Sequence, residues 1–179
     1  YTDGVLGLTQ KFPGLLPIVA KEMPYFSKII VHGPINGSDL LFFSEQNARI
    51  DALDLSDTRI VSGGRTVLPK KRFFSDPEPT PVAVEDDILP SAFASGLTIK
   101  ALTLPRGLKG LISFGLNFIY TSLTLPEGYE KIELGEFATE QLHLPKSLKH
   151  LYCNQPKLFV ELTGGEDDLK ISSVKDELV

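Results

Sequence analysis

Leu102-Thr-Leu-Pro105 returns as Leu123-Thr-Leu-Pro126 and again as Leu142-His-Leu-Pro145. The prolines are spaced by 21 and 19 residues, and a period near 20 marks a stack of short repeats rather than one closed core. Counted from each proline, apolar residues recur at −3, −1, +3, +6 and +11. The first copy supplies Leu102, Leu104, Leu108, Leu111 and Leu116; the second supplies Leu123, Leu125, Tyr129, Ile132 and Phe137. The third gives Leu142, Leu144, Leu148 and Leu151 but has Pro156 at +11, so the array is expected to end there. Ile88 and Phe93 share the +6 to +11 separation and predict an incoming rung.

Leu-x-Leu has a period of two, so both leucines face one side of a short strand and the residue between them faces the other. The proline lacks a backbone donor and suits the strand's end. One rung buries too little to stand alone, whereas stacked parallel rungs about 4.8 Å apart bury a continuous column. Each fully buried Leu or Phe contributes roughly 1.5–3 kcal/mol, which makes that column the main source of stability.

Working towards the N-terminus, Leu53-Asp-Leu-Ser56 is another Leu-x-Leu strand, and Lys28-Ile-Ile-Val-His32 predicts a strand with Ile29 and Val31 inward. Ile29 to Leu53 and Val31 to Leu55 are both 24 residues, which suggests a longer strand–turn–helix repeat in the same stack. Between them, Gly33-Pro-Ile-Asn-Gly-Ser-Asp39 reads as a turn with Asn36 or Ser38 as N-cap of a helix over Leu40-Leu-Phe-Phe-Ser-Glu-Gln46. Asn36-Gly37-Ser38 also fits a glycosylation acceptor, but the turn and cap already account for it. Leu15, Leu16, Ile18, Val19 and Met23, punctuated by Pro13 and Pro24, predict a helix of about ten residues within 9–26 that caps the open end. Residues 62–87 hold Gly63, Gly64, Pro69, Pro77, Pro79 and Pro81 beside basic Lys70-Lys-Arg72 and acidic Glu85-Asp-Asp87. So long a connection is either a mobile excursion or a functional loop, here one carrying Phe73 and Phe74. Val82-Ala-Val84 is expected to re-enter the sheet, and Phe159-Val-Glu-Leu162 followed by Gly164-Gly165 reads as a last strand, a turn and a polar cap.

The composition narrows the function. A chain of 179 residues with 42% hydrophobic content fits an ordinary globular protein, and a net charge of −5 argues against nucleic acid as partner. No run of 18 apolar residues occurs, so no transmembrane segment is expected. The chain opens at Tyr1 without Met or an apolar leader, so any export signal is expected to have been cut off or to lie outside this sequence. The single cysteine, Cys153, excludes an intramolecular disulfide and reads as a small half-buried residue. His32, His143 and His150 are scattered, with no metal-ligand spacing, and no phosphate loop, dinucleotide fingerprint or nucleophile elbow is present. Neither catalytic residues, cofactor nor metal is expected.

Stacked in register, the proline rungs would present Thr103, Thr124 and His143 as one ladder on the open face. The same arithmetic builds two charged ladders, Arg106, Glu127, Lys146 and Lys109, Glu130, Lys149, each alternating plus, minus, plus. Opposite charges on neighbouring rungs would favour register, so charge reversal at Glu127 and Glu130 is expected to lower the unfolding midpoint.

The rungs resemble the bacterial leucine-rich repeats of the BspA-like family, which read roughly as Leu-x-Ile-Pro-x-x-Val-x-x-Ile-Gly-x-x-Ala-Phe. Ser91-Ala-Phe93 before Leu102-Thr-Leu-Pro105, and Gly135-Glu-Phe-Ala138 after Leu123-Thr-Leu-Pro126, are the nearest pieces. Leu53-Asp-Leu-Ser-Asp57 with Ile60-Val-Ser-Gly-Gly64 is similar to the N-terminal region of many such proteins from gut Bacteroidetes, which extends the resemblance over residues 28–162. Ala94-Ser-Gly96 stands where the family often has Gly-Cys.

The expected fold class is therefore α/β, a leucine-rich repeat solenoid of short parallel strands with helices mainly in the N-terminal part. Its expected parts are an N-terminal cap and strand–helix repeat over 1–61, a loop over 62–87, and rungs with a C-terminal cap over 88–179, all in one continuous domain. The resemblance implies a secreted or cell-surface protein, and a repeat stack that offers extended surface with little chemistry favours a non-enzymatic module binding a protein or glycan outside the cell. The fold, not the family, places the expected contact at Thr103, Thr124 and His143, with Phe73 and Phe74 of the 62–87 loop alongside. Two other readings compete with it. One is a polysaccharide-acting enzyme, with Tyr120 and Tyr129 stacking on sugars in a chain that lacks Trp; the other is a structural spacer in a surface assembly.

Overall fold

Short apolar runs of alternating exposure find their partners in the next copy of themselves, and each strand of this chain lies beside the corresponding strand one rung away. The computed structural model describes residues 4–19, 25–46, 50–67, 74–90, 93, 99–112, 120–135, 139–153, 161–165 and 168–172. The elements are β1 (Val5–Thr9), α1 (Leu16–Val19), β2 (Phe26–Ile35), α2 (Gly37–Gln46), β3 (Ile50–Ile60), β4 (Ala101–Thr103), β5 (Leu111–Ile112), β6 (Tyr120–Thr124), β7 (Lys131–Leu134), β8 (Thr139–Leu144), β9 (His150–Cys153), β10 (Glu161–Gly164) and β11 (Lys170–Ser172). A seven-stranded sheet runs β1-β2-β3-β4-β6-β8-β10 and a four-stranded sheet runs β11-β9-β7-β5. Every pairing in both is parallel. The fold is a parallel-stranded solenoid with α1 and α2 both in its N-terminal part.

The predicted register holds. Leu102 pairs with Leu123 and Leu123 with Leu142, while Ile29 pairs with Leu53 across β2 and β3. Leu53 pairs in turn with Leu102, which joins the 24-residue and 20-residue repeats into one column. Ile29, Leu53, Leu102, Leu123 and Leu142 are all 1% exposed or less. Leu104, Leu125 and Leu144 form the second inward column, one turn of the pleat further on. Val31 and Leu55 are both fully buried, but the ladder slips by one residue between Ile30 and His32, so that His32 faces Asp57.

Several expectations need correction. The N-terminal cap is a strand, β1, paired with β2; the helix within the described part of 9–26 covers four residues, and residues 20–24 of that stretch lie outside the described residues. Leu16 is buried from that helix, but Ile18 and Val19 are exposed, because one short turn can bury only one side. Leu111 at +6 is exposed and Ile112 takes its inward place, since Leu111 pairs with Glu133 and Ile112 with Leu134. The incoming rung is shifted likewise: Leu89, not Ile88, is the buried residue beside Phe93. Val82 joins no main sheet but forms an isolated antiparallel bridge to Val67. The array does not end at the third proline rung, for β10 adds to β8 and β11 to β9. Leu116, Phe137 and Pro156 lie outside the described residues.

Where the backbone leaves the ladder, side chains take over. Asn36 is the N-cap of α2, its Oδ1 accepting from Ser38 N at 3.0 Å, and Asp39 returns the bond by accepting from Asn36 N at 3.0 Å. Asp39 is fully buried and also accepts from Gly14 N at 2.6 Å, Leu16 N at 3.1 Å and Gln10 Nε2 at 3.1 Å, so the carboxylate ties the 10–16 segment to the helix start. Gly33 is required nearby: its φ is +101°, and a Cβ there would lie 2.1 Å from Gln10 O.

Asp87 does a similar job for the 62–87 excursion. It is 4% exposed, adopts φ +58°, and receives Arg59 Nε at 3.0 Å and Nη2 at 3.1 Å, with Lys109 Nζ 3.4 Å away. Its backbone bonds Ile60 O and Lys109 N, so one residue spans the gap between the end of β3 and the turn before β5. The Arg59 hydrogen bonds, outweighing burial, hold its carboxyl below the usual range. A depressed folded-state value means that the stabilisation is complete above the unfolded value of about 3.9 and is lost as pH falls through the folded one. Asp87→Asn is expected to cost about 1.5–3 kcal/mol at neutral pH. In urea titrations it should also flatten the acid loss of stability; an acid slope equal to the parent's would refute the clasp.

Candidate functional site

On the large sheet the residues between inward leucines project outward, and the pairing sets them in rows. Asp54, Thr103, Thr124, His143 and Thr163 are successive partners across β3, β4, β6, β8 and β10. The three residues predicted as one ladder, Thr103, Thr124 and His143, are thus brought together, each half-buried. Asp54 and Thr163 extend the row at either end. Thr163 was legible as the next 20-residue step from His143, but Glu161-Leu-Thr-Gly164 lacks the Leu-Pro signature. A second outward row runs through Lys28, Ala52, Ala101, Ser122 and Gln141. Among the described residues the hydroxyls of Thr103 and Thr124 meet no protein partner, while His143 Nδ1 bonds the hydroxyl of Thr163.

Charges beside these rows are neutralised locally. Lys28 Nζ lies 3.6 Å from Asp54, and Lys100 Nζ lies 3.7 Å from Asp51, which the Tyr25 hydroxyl also reaches. His32 Nδ1 is 2.8 Å from Asp57 Oδ2, and Arg106 Nη2 is 2.5 Å from Oδ1 of the same carboxylate. The His32 hydrogen bond, with the Arg106 charge behind it, holds the Asp57 carboxyl below its usual range, whereas the Asp51 hydrogen bond raises the Tyr25 phenol. Sequence reasoning missed the His32–Asp57–Arg106 group because the one-residue slip in β3 hides Asp57 from a 24-residue step.

The plus–minus–plus ladders do not pair as expected. Arg106 goes to Asp57, Lys109 to Asp87 and Lys149 to Asp168, each drawn to the carboxylate its own turn approaches. Glu127 instead accepts backbone N–H from Lys146 at 2.9 Å and Ser147 at 3.2 Å, which lowers its pKa, with the Lys146 charge a lesser cause. Ser147 Oγ completes that turn-to-turn joint by accepting from Gly128 N and donating to Tyr129 O, both at 2.9 Å. Tyr129 is not a sugar platform: it is 6% exposed, donates to Pro105 O at 2.5 Å and accepts from Leu108 N at 2.8 Å. Burial pushes its phenol up to about 12. The Tyr120 side chain lies outside the described residues.

Phe74 is fully exposed at the 62–87 loop, and Phe73 lies outside the described residues. The neighbouring backbone is pinned by Ser62 N to Asp86 at 2.6 Å and by the Val67–Val82 bridge. Cys153 is half-buried against the core. Among the described residues no three His, Cys, Asp or Glu side chains gather as metal ligands, and no helix is long and apolar enough to cross a membrane. The chain matches no family model and no curated protein sequence.

Two substitutions test the turn joints. Tyr129→Phe leaves Leu108 N–H and Pro105 C=O without their partner, and is expected to cost about 1–3 kcal/mol in thermal or urea unfolding. Reversal of Glu127 to Lys should lower the unfolding midpoint at high salt as well as low, because backbone bonds rather than screened charges are lost. A deficit that vanishes in salt would restore the ion-pair ladder.

Proposed function

We propose that the protein is a non-enzymatic recognition or adhesion module that works outside the cell, as the BspA-like resemblance implies. The observation supporting it is the row Asp54, Thr103, Thr124, His143, Thr163: hydrogen-bonding side chains one rung apart on an open sheet, the chain neighbours of the first four committed to the core. A surface of this kind offers area and periodicity rather than reactive chemistry, so it suits a protein or glycan partner. The role rests on the site and not on the solenoid, which hosts many functions. Phe74, exposed on the 62–87 loop, would add an apolar anchor to a protein partner that reaches it.

The experiment is a binding screen of the purified chain against extracellular-matrix proteins and mucins, beside a Thr103→Glu, Thr124→Glu, His143→Glu triple variant whose folding is verified by circular dichroism. Binding by the parent that falls at least tenfold in the variant is the expected result. Equal binding by both would move the site to the 62–87 loop, and binding by neither would favour a structural spacer.

A further inference from the structure

Resting on that reading, we infer that the row from Asp54 to Thr163 receives a neutral, unbranched glycan chain laid along the solenoid axis, one sugar to each strand. Three properties of the face select this occupant over other polymers.

The first is period. Adjacent strands are about 4.8 Å apart, so the five residues of the row stand at that interval over about 19 Å, with Thr103 and Thr124 open at its centre and Asp54, His143 and Thr163 keeping spare hydrogen-bonding capacity beside the bonds they already make. An extended β-linked pyranose chain advances by close to one such interval per sugar and stays in step with the row. An extended peptide presents side chains on one face only every two residues, about 6.6–6.8 Å, and falls out of step within two rungs.

The second is charge. Lys28, Lys100 and Arg106 around the face are each held by an aspartate, Asp54, Asp51 and Asp57. A polyanion would have to take these cations from their partners, in a chain of net charge −5. What remains open in the middle of the face is uncharged: the Thr103 and Thr124 hydroxyls, each able to donate and accept as a sugar hydroxyl does.

The third is relief. Alongside the hydroxyls run Ala52, Ala101 and Ser122, side chains so small that a ring can lie close to the sheet. The methyl groups of Ala52, Ala101 and the threonines would meet the C–H face of a sugar, and the Ser122 hydroxyl adds a further polar group beside them. The chain contains no Trp to act as a single strong anchor, so affinity must accumulate along the polymer.

The test is calorimetric titration of linear β-1,4-linked gluco-, manno- and xylo-oligosaccharides of two to eight units into the parent and into a Thr103→Val, Thr124→Val double variant. Valine keeps the shape and strand preference of threonine while removing the hydroxyl. The expected result is affinity for at least one series that rises from two units to about five and then levels off, and that is at least tenfold weaker in the variant at an unchanged unfolding midpoint. No binding across the panel, affinity independent of length, or equal binding by the variant would each overturn the assignment. Should the panel fail while a protein ligand binds the parent and is lost in the triple glutamate variant, the glycan assignment falls and the recognition reading stands; failure of both screens removes both.

Discussion

Parallel in-register pairing of one apolar column, Leu6, Ile29, Leu53, Leu102, Leu123 and Leu142, is the constraint on which the rest of the structure depends. A slip of one residue in any strand would turn its leucine to solvent and its polar neighbour into the core. The cost of that slip is what holds Thr103, Thr124 and His143 in a row, so the open face inherits its order from the buried one. The rungs need not share a length for this to work: steps of 24, 49, 21 and 19 residues separate consecutive members from Ile29 to Leu142, and the sheet absorbs the difference in its connections.

Those connections are where polar groups carry the structure. Asp39 gathers donors from Gln10, Gly14, Leu16 and Asn36 at the start of α2, and Asp87 gathers Arg59 and Lys109 where the 62–87 excursion returns. Both carboxylates are buried, and neither position could be left unsatisfied without a large penalty. Tyr129 and Glu127 perform the lighter version of the same task, each reaching into the turn of a neighbouring rung. The ladder supplies the stack's cohesion, and these side chains fix how each loop leaves and rejoins it.

The inward column and the Thr103, Thr124, His143 row were legible in the sequence because both follow from a period of two within a strand and a period near 20 between strands. What escaped reading had specific physical causes. The helix expected within 9–26 has apolar residues at helical spacing, yet Val5–Thr9 pairs with β2 as a strand and the chain turns at Gly14 with φ +87°, so among the described residues the helix begins only at Leu16. Leu111 and Ile112 are adjacent apolar residues, and composition alone could not choose between them; the 22-residue pairing of Leu111 with Glu133 did. The slip beside His32 concealed Asp57, and with it the Arg106 contact.

The charged and the uncharged parts of the outer face differ in what they leave unfinished. Asp51, Asp54 and Asp57 already have cationic partners on neighbouring rungs, so a ligand gains from them only by breaking contacts that exist. Exposed pairs of this kind add little stability each, but they do fix the electrostatic sign of the surface near neutrality. Thr103 and Thr124 have no such partners, and the alanines and serine beside them raise no barrier to approach. Threonine satisfies the strand's preference for a β-branched residue whether or not anything binds, so its presence alone decides nothing. What gives the row its meaning is the conjunction of open hydroxyls, a fixed interval and a neutralised surround, which together define what kind of molecule could lie there and which kinds could not.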